Sequence, residues 1–241
     1  MTGPEREDGA PWRNFYGRRH GKKLRPGQAR LMETKLGALA PPGIGWAENP
    51  ARNPIDLQAL FPDKDAVWLE IGFGGGEHMI AQAKAYPQIA LIGAEPYING
   101  VATLLSAIER SRVSNLSVTD ADARDVMDVL PQGSIARVFL NYPDPWPKTR
   151  HHKRRFINPD NIAQLAKVMT PGAELRIATD IPDYVRHCLE LLCGDPRFLW
   201  TAEAPSDWRE PWPDWPSTRY EAKALREGRV PHYLTFLRET R

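Results

Sequence analysis

The 241-residue chain is long enough for one sizeable core, and 41% hydrophobic residues, 26% charged residues and a net charge of +2 are those of a globular protein. No apolar run reaches the roughly 18 residues of a membrane span, which excludes a helical membrane protein and leads us to expect a cytoplasmic one. Only two cysteines are present, Cys188 and Cys193, spaced C-x4-C inside a helical pattern; they exclude a disulfide scaffold and read as reduced thiols.

Residues 1–10 read as a polar, disordered tail and not as a signal peptide. Residues 12–25 mix Trp12, Phe15 and Tyr16 with bases and glycines, a composition that either orders on a partner or packs on the domain. Helical spacing over 28–39 stops at Pro41-Pro42-Gly43. We therefore expect a basic arm and helix over 1–40 and a single domain over 41–241.

From residue 65 the rhythm is strand, turn, helix. Strands are expected at 66–71, 90–95, 116–119, 135–140 and 173–180, and helices at 77–86, 98–110, 159–169 and 182–192. This alternation predicts an α/β, doubly wound, mostly parallel sheet with ligands at the carboxyl ends of its strands. Strands at 198–201 and 233–237 lack a crossover helix and are expected to pair antiparallel at the sheet edge, for seven strands in all. Acids recur where the parallel strands end: Glu70, Glu95, Asp120 or Asp122, Asp144 and Asp180. Core packing does not require them. They imply a crevice lined with acceptors for hydroxyl, amine and ammonium donors.

Charge is segregated along the chain. Residues 11–32 carry seven Lys or Arg and no acid, and residues 145–159 carry five and no acid. Elsewhere 20 bases face 30 acids. Two such clusters in one chain are the footprint of phosphate-backbone binding. The second cluster follows a stiff platform after the fourth expected strand. Pro143, Pro145 and Pro147 restrict the backbone there, and Asp144 and Trp146 sit between them. Trp146 could stack on a base or pack beneath the loop. His151 and His152 lie within the basic run and suit RNA contact better than metal, since no Cys/His spacing suggests zinc. Trp208, Trp212 and Trp215 are expected to clamp a proline-rich loop.

The glycine turn after the first strand, Gly72-Phe73-Gly74-Gly75-Gly76, admits three cofactors. A phosphate-cradling NTPase loop lacks its Lys-Ser/Thr pair. A dinucleotide fingerprint fits at Gly72 and Gly74 but meets Glu77 where pyrophosphate would sit at the helix start. S-adenosylmethionine has no phosphate and carries an amino group and a sulfonium, so it suits Gly72, Gly74 and Gly76 beside Glu70. Glu95 would take ribose hydroxyls, and Asp122 would accept from the adenine amine.

Together these segments resemble the tRNA (guanine-N7-)-methyltransferase family of bacteria, over about residues 15–237. The resemblance rests on L-E-I-G-F-G-G-G (69–76), P-D-P-W-P-K-x-R-H-x-K-R-R (143–155), A-T-D (178–180), T-x-Y-E (218–221) and the arm R-R-H-G-K-K (18–23). It implies a class I, Rossmann-like methyltransferase fold acting on a guanine in the tRNA variable loop, with no obligate protein partner, as monomer or homodimer. It also implies cofactor contacts at Glu70, Glu95, Asp122 and Asp144, and substrate contacts at Lys148, Asp180, Thr218, Arg219, Tyr220 and Glu221. RNA contacts are expected at Arg18, Arg19, Lys22, Lys23, Arg150, His151, Lys153, Arg154 and Arg155. Guanine N7 carries a free lone pair, so no general base is needed; Asp144, accepting from guanine N1–H and the exocyclic amine, is the expected catalytic group. Asp180 and Glu221 are alternative acceptors. Methylation of an exocyclic amine, a non-catalytic RNA-binding module and a dehydrogenase remain as rivals.

Overall fold

The computed structural model describes residues 13–240; the expected tail over 1–10 and Trp12 lie outside the described residues. One seven-stranded sheet, ordered β3-β2-β1-β4-β5-β7-β6, forms its centre. The strands are β1 (Ala66–Ile71), β2 (Ile89–Ala94), β3 (Leu116–Thr119), β4 (Ile135–Asn141), β5 (Met169–Thr179), β6 (Phe198–Trp200) and β7 (His232–Arg238). The first five run parallel, while β7 pairs antiparallel with both β5 and β6. The expected mostly parallel sheet with an antiparallel edge is what the chain forms.

The period-2 alternation of the strands builds two cores, one on each face. Val67, Leu69, Ile71, Val138 and Leu140 point into one, with α6 (Ala123–Val129), α7 (Pro159–Val168) and α8 (Pro182–Cys193). Trp68, Leu91 and Phe139 point into the other, with α1 (Pro26–Thr34), α4 (Glu77–Ala85) and α5 (Ile98–Ser111). In α5 the buried Val101, Leu104, Leu105 and Ile108 recur at the spacing of one helical face. Asn158 caps α7, its side chain accepting from Asn161 N–H at 3.0 Å, and Pro159 occupies the first turn, where a missing N–H costs nothing.

The differences from the sequence reading are local. Strand β5 begins at Met169, four residues before the expected start, and β2 is shifted by one residue. The helix expected over 28–39 is divided at Lys35 into α1 and the single turn α2 (Leu36–Leu39). Helix α6 was not expected, because it is short and Asp125 and Asp128 on its outer side dilute the apolar pattern; its N-cap is Asp122. Short turns α3 (Leu57–Leu60) and α9 (Ser206–Arg209), the longer α10 (Arg219–Arg226) and a 3-10 helix over Thr149–Arg154 complete the helices of the described residues. The tryptophan loop is clamped as expected. Trp212 Nε1 donates to Thr235 Oγ1 at 2.9 Å, and Asp214 accepts from Arg176 at 2.8 Å and Tyr86 at 3.1 Å.

Strand order reverses between β1 and β4, and the ligand crevice of such a sheet opens at that switch point. Register places Ile71 beside Leu140, so the glycine turn after β1 faces the platform after β4. Gly76 ends that turn in the left-handed region (φ +78°), and a Cβ there would lie 2.5 Å from Leu104 Cδ1 and 2.9 Å from Leu104 Cβ. Gly76→Ala is therefore expected to lower stability by about 2–4 kcal/mol, adding left-handed strain to overpacking. Chemical denaturation at constant m-value checks this.

Candidate active site

A cavity of about 650 Å3 opens at the switch point, lined by the glycine turn (Gly72, Gly74), the β2 end (Glu95), Asp122, the β4 end (Asn141 to Asp144) and Tyr220. Gly72 and Gly74 have φ of +71° and +55°, a conformation that costs glycine nothing and lets the backbone approach a ligand. Glu95 is fixed at the rim by Gly74 N–H and Tyr97 N–H, each donating to one of its oxygens at 2.8 Å. Burial pushes its pKa up even so. The remaining lone pairs of that carboxylate are available to a ligand's hydroxyls. Asp122 is desolvated, yet the bonds it receives from Arg124 hold its carboxyl below the usual range.

Glu70 is 1% exposed and bonded to His78 Nδ1 at 2.6 Å. It lines a second recess of about 20 Å3 with Gly72, His78, Asn141, Thr218 and Tyr220. Asn141 lines both spaces. Its Oδ1 and Nδ2 are buried and neither has a partner. A buried amide left this way costs about 1–3 kcal/mol.

The platform is held under strain. Tyr142 (φ +50°) and Trp146 (φ +43°) are both left-handed, a conformation costing about 1–3 kcal/mol per residue that persists only when surroundings enforce it. Arg155 does much of the enforcing. It is 1% exposed, donates from Nε to the Pro145 carbonyl at 2.9 Å, pairs with Asp183 and lies over the Tyr184 ring. Arg155 was expected at the RNA surface; the structure makes it an internal strut, because the cation is needed to bind a loop carbonyl that no backbone donor reaches. Asp144 lies between the two strained residues as an exposed part of the cavity lining, and partial desolvation pushes its pKa up.

The two basic segments meet here. The Arg154 guanidinium lies between Tyr16 of the arm (4.7 Å) and Trp146 of the platform (5.0 Å). Arg124 donates to the Asn14 carbonyl at 3.0 Å, Ile98 N–H to the Arg19 carbonyl at 2.9 Å, and Arg13 pairs with Asp125 and Asp128. Of the two readings of the arm, packing on the domain is the one seen from Arg13 onward. Arg18, Arg19, Lys22 and Lys23 remain exposed on it, and Arg18 lines the cavity. Lys148, Arg150 and Lys153 are exposed on the platform side. Partial desolvation and the cations Arg154, Arg150, Lys148 and Lys153 hold the His151 pKa below its usual value.

The other expected site residues divide between the walls of these two spaces and the packing around them. Gly76 packs on Leu104 and does not line the cavity. Asp180 is buried against Arg229. Thr218 caps α10 by accepting from Glu221 N–H at 3.2 Å, and Glu221 accepts from Trp215 Nε1 at 2.8 Å and from the Tyr233 hydroxyl. Arg219 pairs with Glu77, tying α10 to the start of α4. Tyr220, half-exposed, stacks on Tyr142 with ring centroids 6.3 Å apart over Gly74. The sequence reading gave no site role to Asn141 or Tyr142; an Asn closing an apolar strand run was the available signal for the first.

This geometry can be set beside known proteins. A family model described as "Putative methyltransferase" matches residues 64–234. A tRNA (guanine-N(7)-)-methyltransferase of Ruegeria sp. (strain TM1040) is 58% identical over 231 residues, covering 96% of this chain and 90% of that protein. One of the same name from Roseobacter denitrificans is 60% identical, covering 95% and 97%. The chain belongs to the tRNA (guanine-N(7)-)-methyltransferase family. Among solved structures, the 16S rRNA methyltransferase KamB superposes with a TM-score of 0.58 at 15% identity, covering 76% of this chain and 92% of that one. That likeness concerns the fold alone.

Proposed function

We propose that this protein transfers the methyl group of S-adenosylmethionine to N7 of a guanine in the variable loop of tRNA. The observation carrying this reading is the placement of Asp144 on a strained, proline-fixed turn that lines a nucleoside-sized cavity where two basic segments converge. Residues 41–241 would act as one catalytic unit in the cytoplasm, with the preceding arm as part of its RNA surface and no obligate protein partner. No helix of the described residues is long and apolar enough to cross a membrane.

The residues fit the cofactor. Glu95 presents fixed acceptors for ribose hydroxyls, Asp122 stands on the same rim, the glycine turn admits close approach, and Glu77 at the start of α4 disfavours a pyrophosphate there. When bound, S-adenosylmethionine supplies an electrophilic methyl on sulfur. The protein holds guanine so that the N7 lone pair lies in line with that methyl and water is excluded. Asp144 accepts from N1–H and the exocyclic amine. Both become more acidic as positive charge grows on the purine, so these bonds strengthen toward the transition state. Tyr142 and Trp146 fix the carboxylate, and Lys148, Arg150 and Lys153 meet phosphates.

The raised Asp144 pKa sets a sign for pH dependence. The ionised form is the active one, so turnover is lost as pH falls through a value above the ordinary aspartate pKa. With saturating cofactor, which removes the Glu95 contribution, the wild type should show this acid limb in kcat and Asp144→Asn should not. The reading itself is tested by incubating the protein with unmodified tRNA and labelled methyl donor, then identifying the labelled nucleoside. 7-Methylguanosine is expected; an N2-methylated nucleoside would replace the reading with the exocyclic-amine rival.

A further inference from the structure

We infer that Asn141 holds the amino-acid end of the cofactor, and so sets the preference for a ligand that carries one. The inference rests on the proposed methyl donor. Three observations support it. Asn141 is the last residue of β4, adjacent to the Leu140–Ile71 register pair that faces the glycine turn. It lines both the main cavity and the small recess containing Glu70. Both of its amide atoms are buried and unpartnered.

The order β2-β1-β4 puts Glu95 and Asn141 on opposite sides of the glycine turn. A nucleoside whose ribose meets Glu95 therefore directs its 5′ substituent toward Asn141. That substituent in S-adenosylmethionine is a zwitterion, with an ammonium that donates and a carboxylate that accepts. A side-chain amide has one acceptor and a pair of donors, so it answers both ends. Glu70 adds an anion beside the ammonium. An aspartate at position 141 would repel the ligand carboxylate, and an apolar residue would leave it unmatched. A single water could also occupy the recess, whose volume of about 20 Å3 admits one; the test separates these.

Isothermal calorimetry with two probes isolates the amino-acid end. S-adenosylhomocysteine carries it, and 5′-methylthioadenosine shares the nucleoside and thioether but lacks it. Asn141→Ala and the near-isosteric Asn141→Asp should each weaken S-adenosylhomocysteine about tenfold or more while leaving methylthioadenosine within about twofold. Thermal denaturation identifies any variant that fails to fold, and Asn141→Asp preserves the packing volume if Asn141→Ala does fail. Equal losses for both probes in the folded variants, or no loss for either, would overturn the assignment and leave the methyl-donor reading intact. Failure of the wild type to bind either probe would overturn both.

Discussion

Asp144→Asn is expected to lower kcat by two to three orders of magnitude. The magnitude is that of removing one preorganised charge-stabilising group, about 2.7–4 kcal/mol. Asparagine keeps the shape and one acceptor but turns an NH2 toward the guanine donors and removes the negative charge. The fold should be unaffected, because no side-chain bond of Asp144 supports the platform; the strain at Tyr142 and Trp146 is held from elsewhere. Single-turnover kinetics with saturating tRNA measure the step directly. Wild-type turnover in the variant would remove Asp144 from the mechanism.

Arg155→Met is expected to lower kcat by about 10- to 100-fold with little change in cofactor affinity. Methionine fills most of the space but breaks the bond to the Pro145 carbonyl and the pair with Asp183. Without that strut the left-handed residues can relax, and a displacement of about 1 Å in a reacting group is enough to cost some 100-fold. Asp183 is partly exposed and also pairs with Arg186, so its stranded charge should add little to the loss of stability. If Arg155 instead contacted RNA, the variant would raise KM for tRNA, lower its salt dependence and leave kcat alone.

Legibility from sequence followed how locally each feature is encoded. Strands β1 and β3 were read with the boundaries they have: β1 is a nearly continuous apolar run, as a strand buried on both faces is, while β3 alternates Leu116 and Val118 with Ser117 and Thr119. Helix α6 escaped because its outer side carries Asp125 and Asp128, which answer Arg13 more than 100 residues away. The basic ramp was legible as charge, yet nothing local distinguishes Arg155 from Arg154. One is swallowed by Tyr184 and Asp183 of α8, while the other is stacked between Tyr16 and Trp146. Glu70, Glu95, Asp122 and Asp144 were legible as strand-end acids, but the bonds that set their roles are not. His78 caps Glu70, Arg124 occupies Asp122, and backbone N–H groups orient Glu95. Asn141 was the hardest to see, since what marks it is the absence of a partner.

The central claim is that a carboxylate steadies a purine whose ring nitrogen needs no activation, and base substitution tests it most directly. Inosine retains N7 and N1–H but lacks the exocyclic amine, so a tRNA with inosine at the target position loses one of the two bonds to Asp144. The wild type should methylate it about 10- to 100-fold more slowly than guanosine, as expected for a hydrogen bond to a charged group. In Asp144→Asn the two bases should differ by no more than about threefold, because the partner of that amine is gone. Equal rates for inosine and guanosine in the wild type would contradict the account.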